Sequence, residues 1–559
     1  LTPMMCARLL KEEDHNRRPG LVERALEAWL QGMLWLYRVS LDFVLRFRFF
    51  FLLVTFGTAA LSVHLYQTMP RGFFPQEDTG LIAASTEAAP DTSFEAMAER
   101  QKAVADIVGR DPAVDYYSSN IGFGGRVNTG FLVISLKPKD ERDRMEVILS
   151  RLRRETASVP GISFIPRAVQ NINLNAGRSS RGSYQYTLTS PDLKALYDFA
   201  PNMLTKLRTL DELRDVSLDL QLTNPQAVVD IDRERAATLG VTQDAIKQTL
   251  YNTFGSREIS TIYTPATDYS VIMEASRDFQ SDSAVLSQIY VRSNTGQNVP
   301  LDAVASIRRT VGPLSVTRVA QQPAVTISFN LKDGTALGIA TDAIRKAETE
   351  IGMPAQIVGT FSGTAQIFEQ AVAGQLLLAV AAVFVIYIVL GVLYESFIHP
   401  ITILSGLPSA GIGALLSLKL FHLDLSVVAM IGILMLIGIV KKNAIMMVDF
   451  AIERRRHGDD ALTAIREAAL VRFRPIMMTS FAAVFGVLPI ALGHGAGAEL
   501  RQPLGIAVVG GLILSQLLTL YITPVVYFYL DKIDSRFRES EREGALEPSL
   551  PHMPPHPAE

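Results

Sequence analysis

One cysteine, Cys6, occurs in 559 residues, so neither an intrachain disulfide nor a thiolate-built metal site is open to this chain. The eight histidines include no His-Glu-x-x-His pair, which removes the usual metalloprotease signature. No Gly-Lys dipeptide is present either; a Walker phosphate loop requires one, so ATP is not the expected energy source. A net charge of −3 supplies no basic field for nucleic acid. No metal and no bound cofactor are therefore expected. Leu1–Arg8 has no basic stretch followed by an apolar one, so it is not a signal peptide. Its apolar-to-basic transition reads as the exit of a preceding membrane helix, and the chain is expected to be the second part of a longer protein.

What the chain has in abundance is apolar sequence. Hydrophobic residues make up 48% and mean hydropathy is +0.22, yet 19% of residues are charged, which divides the chain into lipid-facing and water-facing parts. A bilayer core of about 30 Å needs about 20 apolar residues in helical form. Six segments reach or approach that length: Phe49–Tyr66, Ala373–Tyr394, Pro400–Leu420, Leu425–Ala451, Pro475–Leu492 and Leu504–Leu530. Arg17, Arg18, Arg24, Arg38, Arg46 and Arg48 precede the first, Arg454–Arg456 and Arg466 follow the fourth, and Arg536 and Arg538 follow the sixth. By the positive-inside rule those loops are cytoplasmic, which puts the stretch from 67 to 370 on the outer side. Leu21–Phe47, apolar at helical spacing with Trp29, Trp35 and Tyr37, reads as a helix lying along the cytoplasmic interface within residues 1–48.

The outer stretch alternates helical and strand periodicities. Leu81–Glu87, Ser93–Arg110, Val114–Ser119, Gly130–Leu136, Met145–Ala157 and Ile162–Arg167 read as β-α-β-β-α-β, a ferredoxin-like unit spanning residues 67–181. A second such unit begins at Tyr184–Leu188 with a helix over Asp192–Leu210 and a strand at Gln226–Ile231, and it resumes with Pro323–Leu331, Gly338–Ile351 and Ala355–Phe361. Its two parts, 182–231 and 313–370, enclose a module at 232–312 whose Ser256–Tyr263 and Tyr269–Ala275 form a hairpin pattern. The proline-bearing tail, 531–559, reads as disordered. The predicted fold class is thus a six-helix membrane bundle plus α+β ferredoxin-like extracytoplasmic domains.

The costliest feature is a pair of lysines, Lys441 and Lys442, inside the fourth apolar run. A charge at that depth costs about 2.5–3.5 kcal/mol on insertion scales, and such groups mark ion or proton movement by default. Lys442 and Asp449 are seven apart and share a helical face, while Lys441 is turned about 100° away. Arg472 and Thr479 are likewise seven apart, which places a hydroxyl two turns along from a basic residue. For Lys441, a side chain snorkelling to lipid headgroups is as good a reading as transport; Thr479 back-bonding to its own helix and Arg472 as an interfacial anchor stay open beside relay roles.

Leu1-Thr-Pro, Arg71-Gly-Phe-Phe-Pro-Gln-Glu-Asp-Thr-Gly80, Gly122-Phe-Gly-Gly-Arg126 with Asn128-Thr-Gly130, Gly438–Ala451 and Arg472–Ser480 together resemble the second half of the RND (resistance-nodulation-division) multidrug-efflux transporters. Gln170–Asn173 and Ser183–Leu188 further resemble the subgroup whose trimers mix two different subunits. The resemblance implies a proton relay of Lys442, Asn443, Arg472 and Thr479, and a loop at Gly122–Arg126 separating drug pockets, with Phe123 and Arg126 at its contact face. Tyr116, Ile121 and Val133 fall where the family has other pocket phenylalanines, a thinner aromatic wall. The aspartate pair that takes the proton in the family lies in the first half and has no counterpart here, so this chain is expected to hold half of the coupling machinery. The implied activity is proton-driven export of amphiphilic drugs from the bacterial inner membrane or periplasm toward an outer-membrane channel, by a trimer working with a periplasmic adaptor protein. Two alternatives are a metal-ion exporter, with Met430, Met435, Met446 and Met447 as soft ligands, and a non-transporting assembly or docking subunit.

Overall fold

The computed structural model describes residues 4–5, 8, 21–122, 126–172, 182–276, 279, 287–313, 315–495 and 497–545. Helix α1 (Leu21–Arg46) is followed after Phe47 by α2 (Arg48–Thr68). Trp29 and Trp35 lie on the exposed side of α1, whereas Tyr37 is buried and donates its hydroxyl to the Leu520 carbonyl at 2.9 Å. Arg466 pairs with Asp42 at 2.6 Å and fastens α1 five residues further on; those hydrogen bonds outweigh partial burial and hold the Asp42 carboxyl below its usual value.

The insertion begins with β1 (Leu81–Ala88), α3 (Phe94–Arg110), β2 (Val114–Ile121), β3 (Thr129–Leu136), α4 (Met145–Thr156) and β4 (Ile162–Ala168), arranged as an antiparallel sheet of order β2-β3-β1-β4. Period-two alternation turns Leu132, Ile134 and Leu136 toward the helices, where Val104, Val108, Ile148 and Leu152 meet them. Each such side chain contributes about 1.5–3 kcal/mol on burial. Ser93 starts α3 by accepting from the Ala96 amide at 3.2 Å.

The second unit opens with β5 (Tyr184–Thr189), α5 (Leu193–Leu207) and β6 (Leu213–Leu218). The sequence reading places its next strand at Gln226–Ile231, and this is corrected: β7 (Asn224–Ile231) pairs instead with β12 (Ala305–Gly312) at the foot of the inserted module. The strand that serves the second sheet is β6, whose alternation is obscured by the charged pair Arg214-Asp215, by Asp215 in the left-handed region (φ 52°), and by a register shift opposite Ser328 and Asn330. Between β7 and β12 come α6 (Arg233–Thr238), α7 (Gln243–Phe254), the hairpin β8 (Arg257–Tyr263) and β9 (Asp268–Met273), and the short pair β10 (Tyr290–Arg292) and β11 (Asn298–Pro300). The second sheet is completed by β13 (Arg318–Val319), β14 (Gln322–Leu331), α8 (Leu337–Ile351) and β15 (Val358–Ser362), in the order β13-β14-β5-β15 with β6 also on β14.

From β15 the chain passes through Gly363 directly into α9 (Thr364–Tyr394), then α10 (His399–Leu404), α11 (Leu407–Leu420), α12 (Val427–Arg456), α13 (Ala461–Leu492) and α14 (Ala498–Ala545). Among the described residues, six helices are long and apolar enough to cross a membrane: Arg48–Thr68, Thr364–Tyr394, His399–Leu420, Val427–Arg456, Ala461–Leu492 and Ala498–Ile533. The third is interrupted at Ser405-Gly406, just before Pro408 in the first turn of α11. The fifth starts fourteen residues ahead of Pro475, because Asp460 caps the Thr463 amide and the proline is accommodated inside the helix. Residues 531–545 continue α14 as helix, where the sequence reading has a disordered tail; Arg536, Arg538 and several glutamates there are good helix formers.

The connector after α2 ties these layers together through the backbone. The Leu425 and Val427 amides donate to the Pro70 and Phe73 carbonyls (2.9 and 3.2 Å), and the Gly338 amide at the start of α8 donates to the Arg71 carbonyl at 2.9 Å.

Candidate functional site

Helix α12 presents Ile431, Met435, Gly438, Lys442 and Asp449 as one exposed stripe at heptad-like spacing. Among the described residues no carboxylate comes within 4.0 Å of Lys441 or Lys442. Asn443, one residue on and about 100° further round the helix, is buried. Its Nδ2 donates to Gln516 Oε1 at 2.8 Å and to Ser480 Oγ at 3.3 Å, and Ser480 Oγ donates to the same Gln516 Oε1 at 2.6 Å. Gln516 Nε2 in turn donates to Met477 Sδ at 3.3 Å. A closed polar triad therefore joins α12, α13 and α14 inside the apolar bundle.

The four residues assigned to a relay do not form one hydrogen-bonded group here. Thr479 donates to the Ile476 carbonyl of its own helix at 3.1 Å, and Arg472 lies over the Phe450 ring at 5.1 Å with its Nε buried and unpartnered. Asn443 faces inward and Lys442 outward. Ser480, Gln516 and Phe450 were missed by sequence reading. Gln516 had a usable signal, a carboxamide in the middle of an apolar span, where polar side chains are expensive.

At the Arg454–Arg456 end of the bundle, Tyr394, Glu395, His399, Asp449, Glu453, Arg455 and Asp531 line a polar cavity, with Arg455 paired to Asp531 at 2.9 Å. Met430 and Met447 are packed in two separate hydrophobic cores and Met435 is exposed, so the four methionines proposed as soft ligands do not converge. Among the described residues no group of three or more His, Cys, Asp or Glu side chains is placed to hold a metal ion.

In the first α/β unit Tyr116 and Val133 stand exposed on the sheet face opposite the helices, with Phe131 on the same face by register. Ile121 does not join them: strand alternation puts it on the other face, at the end of β2. Phe123 lies outside the described residues. Arg126 donates to Ser315 Oγ at 3.0 Å, linking the glycine-rich loop to the second unit. Close by the connector, Arg142 grips Asp78 through two hydrogen bonds of 2.6 and 2.9 Å; burial opposes the charged carboxyl, but the guanidinium outweighs it and Asp78 stays below its ordinary value.

Arg153 reaches from the first unit to Asp215 of the second at 3.3 Å, and Lys139 reaches Glu499 in the first turn of α14 at 2.6 Å.

Among the described residues, six helices long and apolar enough to cross a membrane, two antiparallel α/β units and a polar triad between three of those helices define the class of multi-pass membrane proteins. The chain belongs to the AcrB/AcrD/AcrF family, whose model matches residues 1–531. It is 46% identical over 551 residues to the multidrug resistance protein MdtC of Escherichia coli O157:H7 (strain EC4115 / EHEC), and 46% identical to MdtC of Escherichia fergusonii. Those alignments cover 98% of this chain and 53% of each relative, so the chain spans about half the length of the curated relatives it matches. Two crystal forms of a heavy metal efflux pump share the fold, with TM-scores of 0.77 and 0.79 at 22% and 23% identity over 89% and 91% of this chain, and 51% and 53% of the pump. The resemblance to RND efflux transporters drawn from the motifs is borne out by the family match.

Proposed function

We propose that this chain is the second half of a proton-driven RND exporter of amphiphilic drugs. The carrying observation is the exposed α12 stripe, where Lys442 and Asp449 stand on a helix long and apolar enough to cross a membrane, with no carboxylate among the described residues within 4.0 Å of the lysine. A charged helix face does not face hydrocarbon; it faces protein or a water-filled path. The chain spans 53% of the length of MdtC, a protein named for multidrug resistance, so the remaining length has room for a first half that supplies the acid to Lys442. Protonation of such an acid would release the ammonium and let α12 move; deprotonation would draw it back.

On this reading the bundle lies in a bacterial inner membrane and the two α/β units are ferredoxin-like periplasmic domains. Amphiphilic compounds would meet the open sheet face of Tyr116, Phe131 and Val133. A trimer that includes a second homologous subunit would pass them to a periplasmic adaptor and an outer-membrane channel, docking through the inserted module. The exposed hairpin carrying Ile259, Ile262, Tyr263, Tyr269 and Ile272 supports such a contact surface.

The test is Lys442→Ala in cells that supply the first half. Loss of drug resistance at unchanged protein level is the expected result. Unchanged resistance would remove the relay and leave the docking-subunit reading.

A further inference from the structure

The triad of Asn443, Ser480 and Gln516 poses a question that the relay does not answer. Lipid tails are as apolar as the helices, so no hydrophobic drive sets the rotation of one membrane helix against another; packing and interhelical hydrogen bonds do. Helix α12 most needs a defined rotation, because about 100° separates the face carrying Lys442 from the face carrying Asn443. A rotation of that size toward α13 and α14 would carry the ammonium to the direction the carboxamide now takes and pull the carboxamide away from Gln516.

Hydrogen-bond chemistry shows which residue sets it. Gln516 Oε1 is the shared acceptor: it takes Asn443 Nδ2 at 2.8 Å and Ser480 Oγ at 2.6 Å. Among the described residues its own amide nitrogen meets only the thioether of Met477, a weak acceptor, so the Gln516 carboxamide is oriented by the donors it receives. Asn443 thus spends its donor end inward, on a residue of another helix. Between Arg501 and Asp531, α14 contains no Asp, Glu, Lys or Arg, so Gln516 is the most polar group it offers at this depth.

We propose that Gln516, supported by Ser480, is a positioning residue of the proton-coupling site: it holds Asn443 and thereby the rotational setting of α12 that turns Lys442 onto the open face. The inference rests on the proton-coupled reading above, and it assigns a coupling role to a helix that carries none of the relay residues.

The experiment uses the assembled pump in proteoliposomes under an imposed pH gradient, with ethidium as the transported probe. Gln516→Met keeps the side chain's volume while removing both polar ends. The expected result is a maximal ethidium rate about tenfold lower with unchanged half-saturation, the pattern of a lost coupling step rather than lost binding. Exchanging the pair, N443Q with Q516N, conserves the combined reach of the two carboxamides and should restore the rate to within about threefold of the unaltered pump. A purely structural role for Gln516 predicts lower thermal stability but an unchanged rate per folded molecule, and that result overturns the proposal. So does a restored melting temperature in the exchanged pair without a restored rate. Lys442→Ala run in parallel separates the two claims. If it leaves ethidium export intact, the proton-coupling reading itself fails; if it abolishes export while Gln516→Met retains the full rate, only the positioning role fails.

Discussion

Lys442 and Asn443 are consecutive in the chain and opposite in setting: the ammonium lies on the exposed stripe of α12, while the carboxamide is buried and bonded to Gln516 at 2.8 Å. Replacing the inward partner should therefore be felt in stability as well as in transport. Asn443→Leu removes two of the triad's hydrogen bonds and leaves Gln516 Oε1 with Ser480 alone. Interhelical hydrogen bonds in membranes are worth about 0.6 and at most about 1.7 kcal/mol, so a loss of about 1 kcal/mol is expected in a detergent unfolding titration. Lys442→Leu, which removes no observed hydrogen bond, should be neutral or stabilising in the same assay.

The Asp78–Arg142 pair gives a pH dependence with a definite sign. Asp78 ionises below its ordinary value when folded, so its stabilising contribution is complete above the unfolded carboxyl value of about 3.9 and disappears as pH falls through the lower folded value. Melting of the insertion from pH 7 down to pH 3 should show the onset of this loss below about pH 4. Asp78→Asn should remove it at every pH and leave the Arg142 guanidinium, whose side chain is 1% exposed, without its counter-charge. Breaking a buried pair this way costs about 3–5 kcal/mol.

Gly505 lets α14 press against the end of α13. A Cβ there would stand 2.4 Å from the Ala491 nitrogen and 2.7 Å from its Cα, and both belong to backbone that cannot swing aside. Gly505→Ala should force the helices apart at a cost of about 1–3 kcal/mol, read as a lower melting temperature of the detergent-solubilised chain. Gly438→Ala, with open space around the added methyl group, is the control expected to melt like the unaltered protein.

On the open face of the first sheet, Tyr116→Ala and Phe131→Ala should narrow the range of large aromatic compounds exported, lowering resistance to them about fourfold or more through lost stacking area. Ile121→Ala, on the other face, should leave the range unchanged. Parallel susceptibility tests on cells carrying each variant would measure both effects.

Membrane helices were legible because length and apolarity are nearly sufficient signals, although their ends were not. Pro475 reads as a boundary in sequence, yet Asp460 caps the helix much earlier and the proline is carried inside it. Strand β6 was invisible because Arg214 and Asp215 interrupt its alternation; their partners, Asp333 and Arg153, are remote in sequence. At the candidate site, spacing correctly put Lys442 on one face and Lys441 on another. It could not show that Asn443 is engaged by a glutamine seventy-three residues away, because a contact between two separate membrane helices leaves no periodicity to read.

Gly363 is the single residue between β15 and α9, and this has a mechanical corollary. A sheet strand that runs into a membrane helix through one residue behaves as the short arm of a lever. The 31 residues of α9 extend about 46 Å at 1.5 Å each, so a tilt of about 10° at the sheet would carry the far end sideways by about 8 Å. A small reorientation of the second α/β unit would thereby be magnified into a much larger displacement at the far end of α9.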